Sequence, residues 1–297
     1  MLKVTQEPLR AEIERAVQEV TSFGLTGVVG FAVAHGNGNV IAIIDLAGRA
    51  DDPPDVLRAA TTAVSKVVES VRVDGVLFFY PDHERGLRMI FFDCDGTWEA
   101  MCGNGLRCVT RYAADRGLID GSGVIVTDDG PKPVRVDGTG ADVVLGPARE
   151  VRQVREDWWF AYTGVPHLVV FVDRDELDSV DVAVEGARLR HDLDLNTALG
   201  HPDGVHVDFV AVDGAGIAVR TYEVGVEDET ACCGTGVAAA GYLAWRSGRV
   251  GMPTIARTRG GDVRVGLRDG QLSIAGEVGY LVAPVVRAGA GGIGGTS

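Results

Sequence analysis

Leu9, Ile13, Val17, Val20 and Phe23 recur at helical spacing between Glu and Arg side chains, so residues 7–23 predict an amphipathic helix. Its apolar face calls for cover from another part of the chain or from a subunit neighbour. From Val28 to Ile44 the chain is rich in Val, Ile and Ala but is broken by His35-Gly36-Asn37-Gly38-Asn39, the pattern of strand, tight turn and strand. Asp55 to Val71 predicts a second helix, and Gly75–Tyr80 and Leu87–Phe92 predict short strands. In the second half, Phe160-Ala161-Tyr162 and Leu168–Val172 predict strands around Gly164-Val165-Pro166-His167. Val205–Val212 and Ile217–Val224 predict an antiparallel pair across Asp213-Gly214, and Val263–Leu267 and Gln271–Ile274 two more strands. The Gly-rich end, residues 288–297, predicts disorder.

One segment occurs twice. Cys102-Gly103-Asn104-Gly105 and Cys233-Gly234-Thr235-Gly236 each open a helical pattern. Each helix meets a glycine, Gly117 or Gly248, at the same distance from its cysteine, where a left-handed cap is expected. A helix N-terminus offers unpaired N–H groups and positive potential, and small side chains let a carboxylate reach them. The same field is expected to lower the pKa of an adjacent cysteine. Two such termini facing each other would hold one α-carboxylate between two thiols. One thiolate could take the Cα proton while the opposite thiol supplies one to the other face, with the developing charge stabilised by the N–H donors. No metal or cofactor is needed. A single copy is equally compatible with a cysteine that merely packs at a helix start; the matched repeat favours chemistry.

Composition narrows the classes. The chain has 297 residues and a net charge of -14, which disfavours nucleic-acid and anionic-membrane partners. The opening residues lack an apolar leader and no run is long enough to span a bilayer, so a cytoplasmic protein is expected. Five cysteines, Cys94, Cys102, Cys108, Cys232 and Cys233, suit neither a disulfide framework nor a CxxC zinc site. The six-residue spacing of Cys102 and Cys108 on a helix does not favour a redox pair. Lys3, Lys66 and Lys132 are the only lysines, and none sits in a context suited to a pyridoxal Schiff base.

At these motifs the chain resembles the diaminopimelate epimerase family. Cys102–Cys108 is similar to its first cysteine motif and Glu229–Gly236 to its second. His35–Asn39, Asp95–Glu99, Pro166-His167 and Ala275–Val278 resemble further family segments, so the likeness spans about residues 25–287. It implies an α/β (α+β) fold of two pseudo-symmetric domains, each a curved mixed sheet around a central helix: 25–147, with 279–287 returning to it, and 148–278. Residues 1–24 would be an added helical extension. The resemblance further implies Cys102 and Cys233 as the acid–base pair, backbone N–H groups of Gly103, Asn104, Gly234 and Thr235 as carboxylate donors, and Asn39 and His167 at the binding site. Cys232 is expected to pack away from the cleft. A homodimer and a free amino-acid substrate are implied as partners.

The departures bear on the substrate. Where the family places asparagines for the distal end of diaminopimelate, this chain has Asp93, Val165 and His206, and where it has arginine beside a glutamate, this chain has Glu223-Val224. Without the arginine a distal carboxylate has no bidentate partner. The expectation is an amino-acid racemase or epimerase for another substrate, histidine first among polar or basic amino acids. Rivals are a genuine diaminopimelate epimerase, a pyridoxal-dependent racemase and a non-catalytic amino-acid-binding module.

Overall fold

A computed structural model describes residues 6–22, 24–47, 52–82 and 86–287. Phe23 and the glycine-rich end from 288 lie outside these residues. After α1 (Gln6–Ser22), the first half runs β1 (Val28–Gly36), β2 (Asn39–Leu46), α2 (Pro54–Val67), β3 (Gly75–Asp82), β4 (Gly86–Asp93), β5 (Trp98–Glu99), α3 (Gly103–Asp115), β6 (Ser122–Thr127), β7 (Gly130–Asp137) and β8 (Gly140–Gly146). The second half runs β9 (Arg149–Gln153), β10 (Trp158–Tyr162), β11 (Pro166–Phe171), three short helices α4 (Arg174–Ser179), α5 (Val182–Arg190) and α6 (Leu193–Leu199), then β12 (His206–Asp213), β13 (Gly216–Glu223), β14 (Asp228–Thr230), α7 (Gly234–Arg246), β15 (Thr254–Thr258), β16 (Gly261–Arg268) and β17 (Gln271–Val286).

The two halves share one plan. β2–β3 and β4–β6 are parallel pairs in the first half, as are β11–β12 and β13–β15 in the second. A parallel pair needs a crossover, and here each crossover is helical. α2 and α4–α6 cross on the outside. α3 and α7 cross through the middle, which buries them on nearly every side. Strands β1, β2, β3, β4, β6, β7, β8 and β17 close into a ring, β17 completing it between β8 and β1. The early part of β17 also pairs with β16, so this one strand belongs to both halves. The result is a mixed α/β architecture with a closed barrel and, among the described residues, seven helices.

Leu9, Ile13, Val17 and Val20 of α1 are fully buried, and the helix covers α2 and β17 of its own chain. α2 ends at Val67, earlier than its apolar pattern predicts; Val68, Val71 and Val73 continue the core beyond the helix. The helices of 174–199 and strands β6–β9, β14 and β15 are not among the predicted elements. No helix among the described residues is long and apolar enough to cross a membrane.

Candidate active site

α3 and α7 begin against each other. A Cβ built on Gly103 would lie 3.5 Å from the Cα of Gly234, and one built on Gly234 would lie 3.3 Å from the Cα of Gly103. A side chain at Gly234 would crowd this approach, with a Cβ also 3.2 Å from the Asn104 N. Each helix is capped by its cysteine: the Gly105 N–H donates to Cys102 Sγ (3.3 Å), and the Gly236 N–H to Cys233 Sγ (3.4 Å). Gly117 and Gly248 carry the left-handed conformation just past the helix ends, at φ 68° and 76°. The repeat read from the sequence is therefore two helix starts that share one point.

A buried network locks that point. The Arg107 guanidinium, fully buried, donates to Asn37 Oδ1 (2.7 Å) and Asn104 Oδ1 (2.6 Å). Asn104 Nδ2 donates to the Cys232 carbonyl (2.9 Å) and Asn37 Nδ2 to the Asp262 carbonyl (3.1 Å), so one cation ties α3 to the second half. The Asn104 side chain is thereby committed to structure, leaving its backbone N–H for a ligand. Cys108 and Cys232 are buried in the core.

The paired termini floor a cavity of about 80 Å³. Cys102, Cys233, Gly103, Asn104, Gly234, Thr235, Asn39, Asp93, Val165, His206, Glu223 and Val224 line it. The Oδ1 of Asn39 is buried there without a hydrogen-bond partner, an acceptor free for a donor such as an ammonium group. Asp74, Phe91, Glu99, Met101 and Val226 also line the cavity and are not among the sequence-predicted site residues. No lysine or arginine lines it among the described residues. A larger surface depression near Arg174 and Arg257 has its cations already paired, Arg174 and Arg257 with Asp213 and Arg220 with Glu229.

Two expectations are corrected. First, the helix termini do not bring the thiol pKa values below the ordinary cysteine value. Burial pushes Cys102 and Cys233 up, and nearby carboxylates push them further, Asp93 and Glu223 at Cys102 and Glu223 and Asp208 at Cys233. The capping N–H bonds lower both, but more weakly than burial raises them. Second, His167 does not line the cavity. It is fully buried behind Thr235, its Nε2 2.9 Å from Thr235 Oγ1 and its Nδ1 2.8 Å from Asp208 Oδ2.

Four carboxyl groups, Asp74, Asp93, Glu99 and Glu223, line the cavity. Burial, then Glu99, Glu223, Asp95 and Asp74, push Asp93 up to about 8. Burial pushes Glu223 up to about 7 against an opposing hydrogen bond from Thr230. Glu99 and Asp74 are raised by burial as well. His206 is pushed well below its ordinary value by burial and by His167, on which its ring stacks at 4.8 Å. It is a neutral imidazole whose Nδ1 accepts the Val224 N–H (3.3 Å). His206, Glu223 and Cys233 bring one donor atom each within 4.8 Å of one another. Lys132 is engaged by Asp129 and the Leu145 carbonyl, and Lys66 lies on α2 away from the cavity.

The sequence profile of the diaminopimelate epimerase family matches residues 31–151 and 159–281. The chain belongs to the diaminopimelate epimerase family. It is 32% identical over 284 residues to the diaminopimelate epimerase of Archaeoglobus fulgidus, covering 87% of this chain and 96% of that one. It is 33% identical over 278 residues to that of Methanocella arvoryzae, covering 86% and 92%. Among solved structures, a PhzF-family phenazine biosynthesis protein of Bacillus anthracis shares the fold at TM-score 0.64 and 16% identity, covering 88% of this chain and 99% of that one. A hydroxyproline epimerase of Agrobacterium vitis, solved with bound trans-4-hydroxy-L-proline, shares it at 0.62 and 18%, covering 87% and 92%. The protein is an isomerase of the racemase and epimerase type.

Proposed function

We propose that this isomerase is a cofactor-independent amino-acid racemase or epimerase in which Cys102 and Cys233 move a proton at Cα, and that its substrate is an amino acid other than diaminopimelate. The observation that carries the reading is the contact of Gly103 with Gly234, two helix starts each capped by a thiol. In this mechanism the α-carboxylate sits on the N–H groups of Gly103, Asn104, Gly234 and Thr235, and the Asn39 amide oxygen accepts from the α-ammonium. One sulfur, as thiolate, removes the Cα proton. Electron density moves into the carboxylate, where the N–H donors stabilise the enediolate-like charge. The other sulfur, as thiol, protonates the opposite face. Both sulfurs exchange protonation state in each turnover, and the substrate inverts. Burial raises the thiol pKa, and it also strengthens each N–H contact to developing charge once a substrate displaces water.

The distal end supports a cationic side chain. Asp74, Asp93, Glu99 and Glu223 line the same cavity, and no lysine or arginine lines it among the described residues; Asp74 alone has a cation close by, Arg72 at 3.7 Å outside the cavity. Two of them take protons near neutral pH. An ammonium, imidazolium or guanidinium group would hold them ionised, while Phe91, Val165, Val224 and Val226 face an apolar stem. Histidine is the first candidate, with other basic amino acids next. A distal carboxylate would lack a cation at Val224 and meet like charge from Asp93. The second reading, a genuine diaminopimelate epimerase, is favoured by the relatives of that name, matched over nearly their whole length. The expected partner is a second copy of the chain, to be read from its mass in solution.

The test is a panel of L-amino acids, with LL- and meso-diaminopimelate, incubated with the enzyme in D₂O. Deuterium at Cα of histidine or another basic amino acid is the expected result. Efficient exchange of diaminopimelate alone would overturn the substrate assignment and leave the second reading.

A further inference from the structure

We propose that Asp208, His167 and Thr235 form a buried proton relay that makes Cys233, and not Cys102, the thiolate of the resting enzyme. The inference rests on the two-cysteine reading and assigns the two sulfurs unequal roles within it. His167 and Asp208 are both fully buried. Asp208 Oδ1 accepts from the Thr221 hydroxyl (2.7 Å) and Oδ2 faces His167 Nδ1 (2.8 Å), so the carboxylate is used on both oxygens as an acceptor. That fixes the tautomer: Nδ1 carries the proton and Nε2 accepts from the Thr235 hydroxyl at 2.9 Å. The same hydroxyl oxygen lies 3.4 Å from Cys233 Sγ and can accept the thiol proton. The chain is continuous from sulfur to carboxylate. Its room comes from Gly236, where a Cβ would stand 2.4 Å from Asp208 Oδ1.

Among the described residues Cys102 has no such path. Its cap is the Gly105 N–H alone, and the groups that act on its charge are burial, Asp93, Glu223 and Cys108, all of which favour the protonated thiol. Burial and nearby carboxylates favour the protonated form of both thiols, Glu223 and Asp208 acting on Cys233, but among the described residues only Cys233 has an internal acceptor chain. The proton balance is simple. Cys233 S–H passes its proton to Thr235 Oγ as the Thr235 hydroxyl proton passes to His167 Nε2. Threonine is unchanged, the thiol has become a thiolate and the imidazole an imidazolium beside the Asp208 carboxylate. The groups facing that imidazolium are Asp208, the Thr235 hydroxyl, the stacked and neutral His206 ring, and Glu223, whose carboxylate His167 stabilises. The resting enzyme therefore removes a proton from the Cys233 face of Cα and delivers one from Cys102. In this relay His167, Asp208 and Thr235 are positioning residues that act through Cys233, the arrangement of a nucleophile, a base and an orienting carboxylate with one hydroxyl inserted.

Alkylation by iodoacetamide with peptide mapping, on the ligand-free full chain at neutral pH, tests this without turnover. Both sulfurs line the cavity, so the reagent meets both. Cys233 should be modified at least roughly tenfold faster than Cys102, since the thiolate is the reactive form. Thr235→Val keeps the branched shape and removes the hydroxyl. It should slow Cys233 by about tenfold or more and leave Cys102 within about twofold, and Thr235→Ser should restore the Cys233 rate. A merely structural threonine would change both sulfurs together or neither. Faster or equal modification of Cys102, or an unchanged Cys233 rate in Thr235→Val, would overturn the relay. Cys233 selectivity in a protein that exchanges no amino acid would keep the relay and remove the racemase reading. Exchange without selectivity would do the reverse.

Discussion

Gly234→Ala perturbs the junction on which the proposed chemistry depends. The added Cβ would lie 3.2 Å from both the backbone N and Oδ1 of Asn104 and 3.3 Å from the Cα of Gly103. Two of those three contacts are backbone, and the Asn104 amide is pinned by Arg107 and the Cys232 carbonyl. Neither side can swing away, so the two helix starts must part by a few tenths of an ångström. Overpacking of this kind costs about 1–3 kcal/mol. The better helix propensity of alanine returns up to about 1 kcal/mol in a helix interior, and less in the first turn. The net loss of stability is therefore small, on the order of 1–2 kcal/mol. The catalytic effect should be larger, because the methyl intrudes on the carboxylate cradle and shifts both sulfurs relative to Cα. A misplacement of ~1 Å can cost about a hundredfold, so a smaller shift plus the obstruction should lower the Cα exchange rate roughly 10–100-fold. The assay is Cα–H exchange in D₂O beside a thermal melt. Gly248→Ala is the contrasting control: its φ of 76° strains an alanine far from the cavity, so stability should fall and exchange persist. A Gly234→Ala enzyme that exchanges as fast as the parent would refute the idea that this close approach builds the carboxylate site.

Other outcomes follow from the same geometry. Mild oxidation should inactivate reversibly by a Cys102–Cys233 disulfide that dithiothreitol reopens; lost activity with no such crosslinked peptide would argue against a shared cleft. Asp93→Asn, Val165→Asn, His206→Asn and Val224→Arg together should shift preference toward diaminopimelate, read as a ratio of kcat/KM values that rises about tenfold or more. An unshifted ratio would detach these residues from specificity. Asp93 and Glu223 bind protons more tightly folded than unfolded, so their contribution to stability is greatest below their unfolded pKa values. It is lost as pH rises through about 7 for Glu223 and about 8 for Asp93. The ligand-free protein should thus melt lower at pH 8.5 than at pH 6, and Asp93→Asn should narrow the difference, by on the order of 1 kcal/mol. A melt independent of pH across this range in both proteins would contradict the buried carboxyl cluster.

The central helices were legible because a repeat carries its own check. Cys102 and Cys233, the glycines beside them and the capping glycines Gly117 and Gly248 recur at matched spacing, and both copies fold as helix starts with left-handed ends. The strand pairs about Gly36–Asn39 and Asp213–Gly216 were equally plain from alternation and turn chemistry. Less legible was whatever depends on distant partners. Strands β6–β9 carry charged residues such as Lys132, Arg135 and Arg149 between their apolar positions, and their pairing, of β6–β8 around the ring and of β9 with β10, decides their shape. The α4–α6 segment is short and rich in Asp and Arg, and its Asp181 and Asp192 caps are visible only in hindsight. In the site, Asp74 arrives from the segment just before β3 with no motif to announce it, whereas Glu99, on β5, ends the family-like Asp95–Glu99 segment but nothing in that segment marks it as lining the cavity. Asp208 carries one available signal, an acidic residue inside an apolar strand run, Val207-Asp208-Phe209-Val210. The error about thiol pKa has a general cause: sequence reveals the dipole at a helix start, whereas the depth of burial that outweighs it is a property of the fold.

The most direct measurement of the central claim follows the isotope at Cα during the first few per cent of reaction in D₂O, with whichever amino acid exchanges. If Cys102 and Cys233 each serve one face, deuterium enters the product enantiomer and not the recovered substrate, and Cys102→Ala and Cys233→Ala each abolish inversion while Cys94→Ala, Cys108→Ala and Cys232→Ala retain it. Equal early labelling of substrate and product, or inversion that survives the loss of either Cys102 or Cys233, would contradict a two-cysteine enzyme.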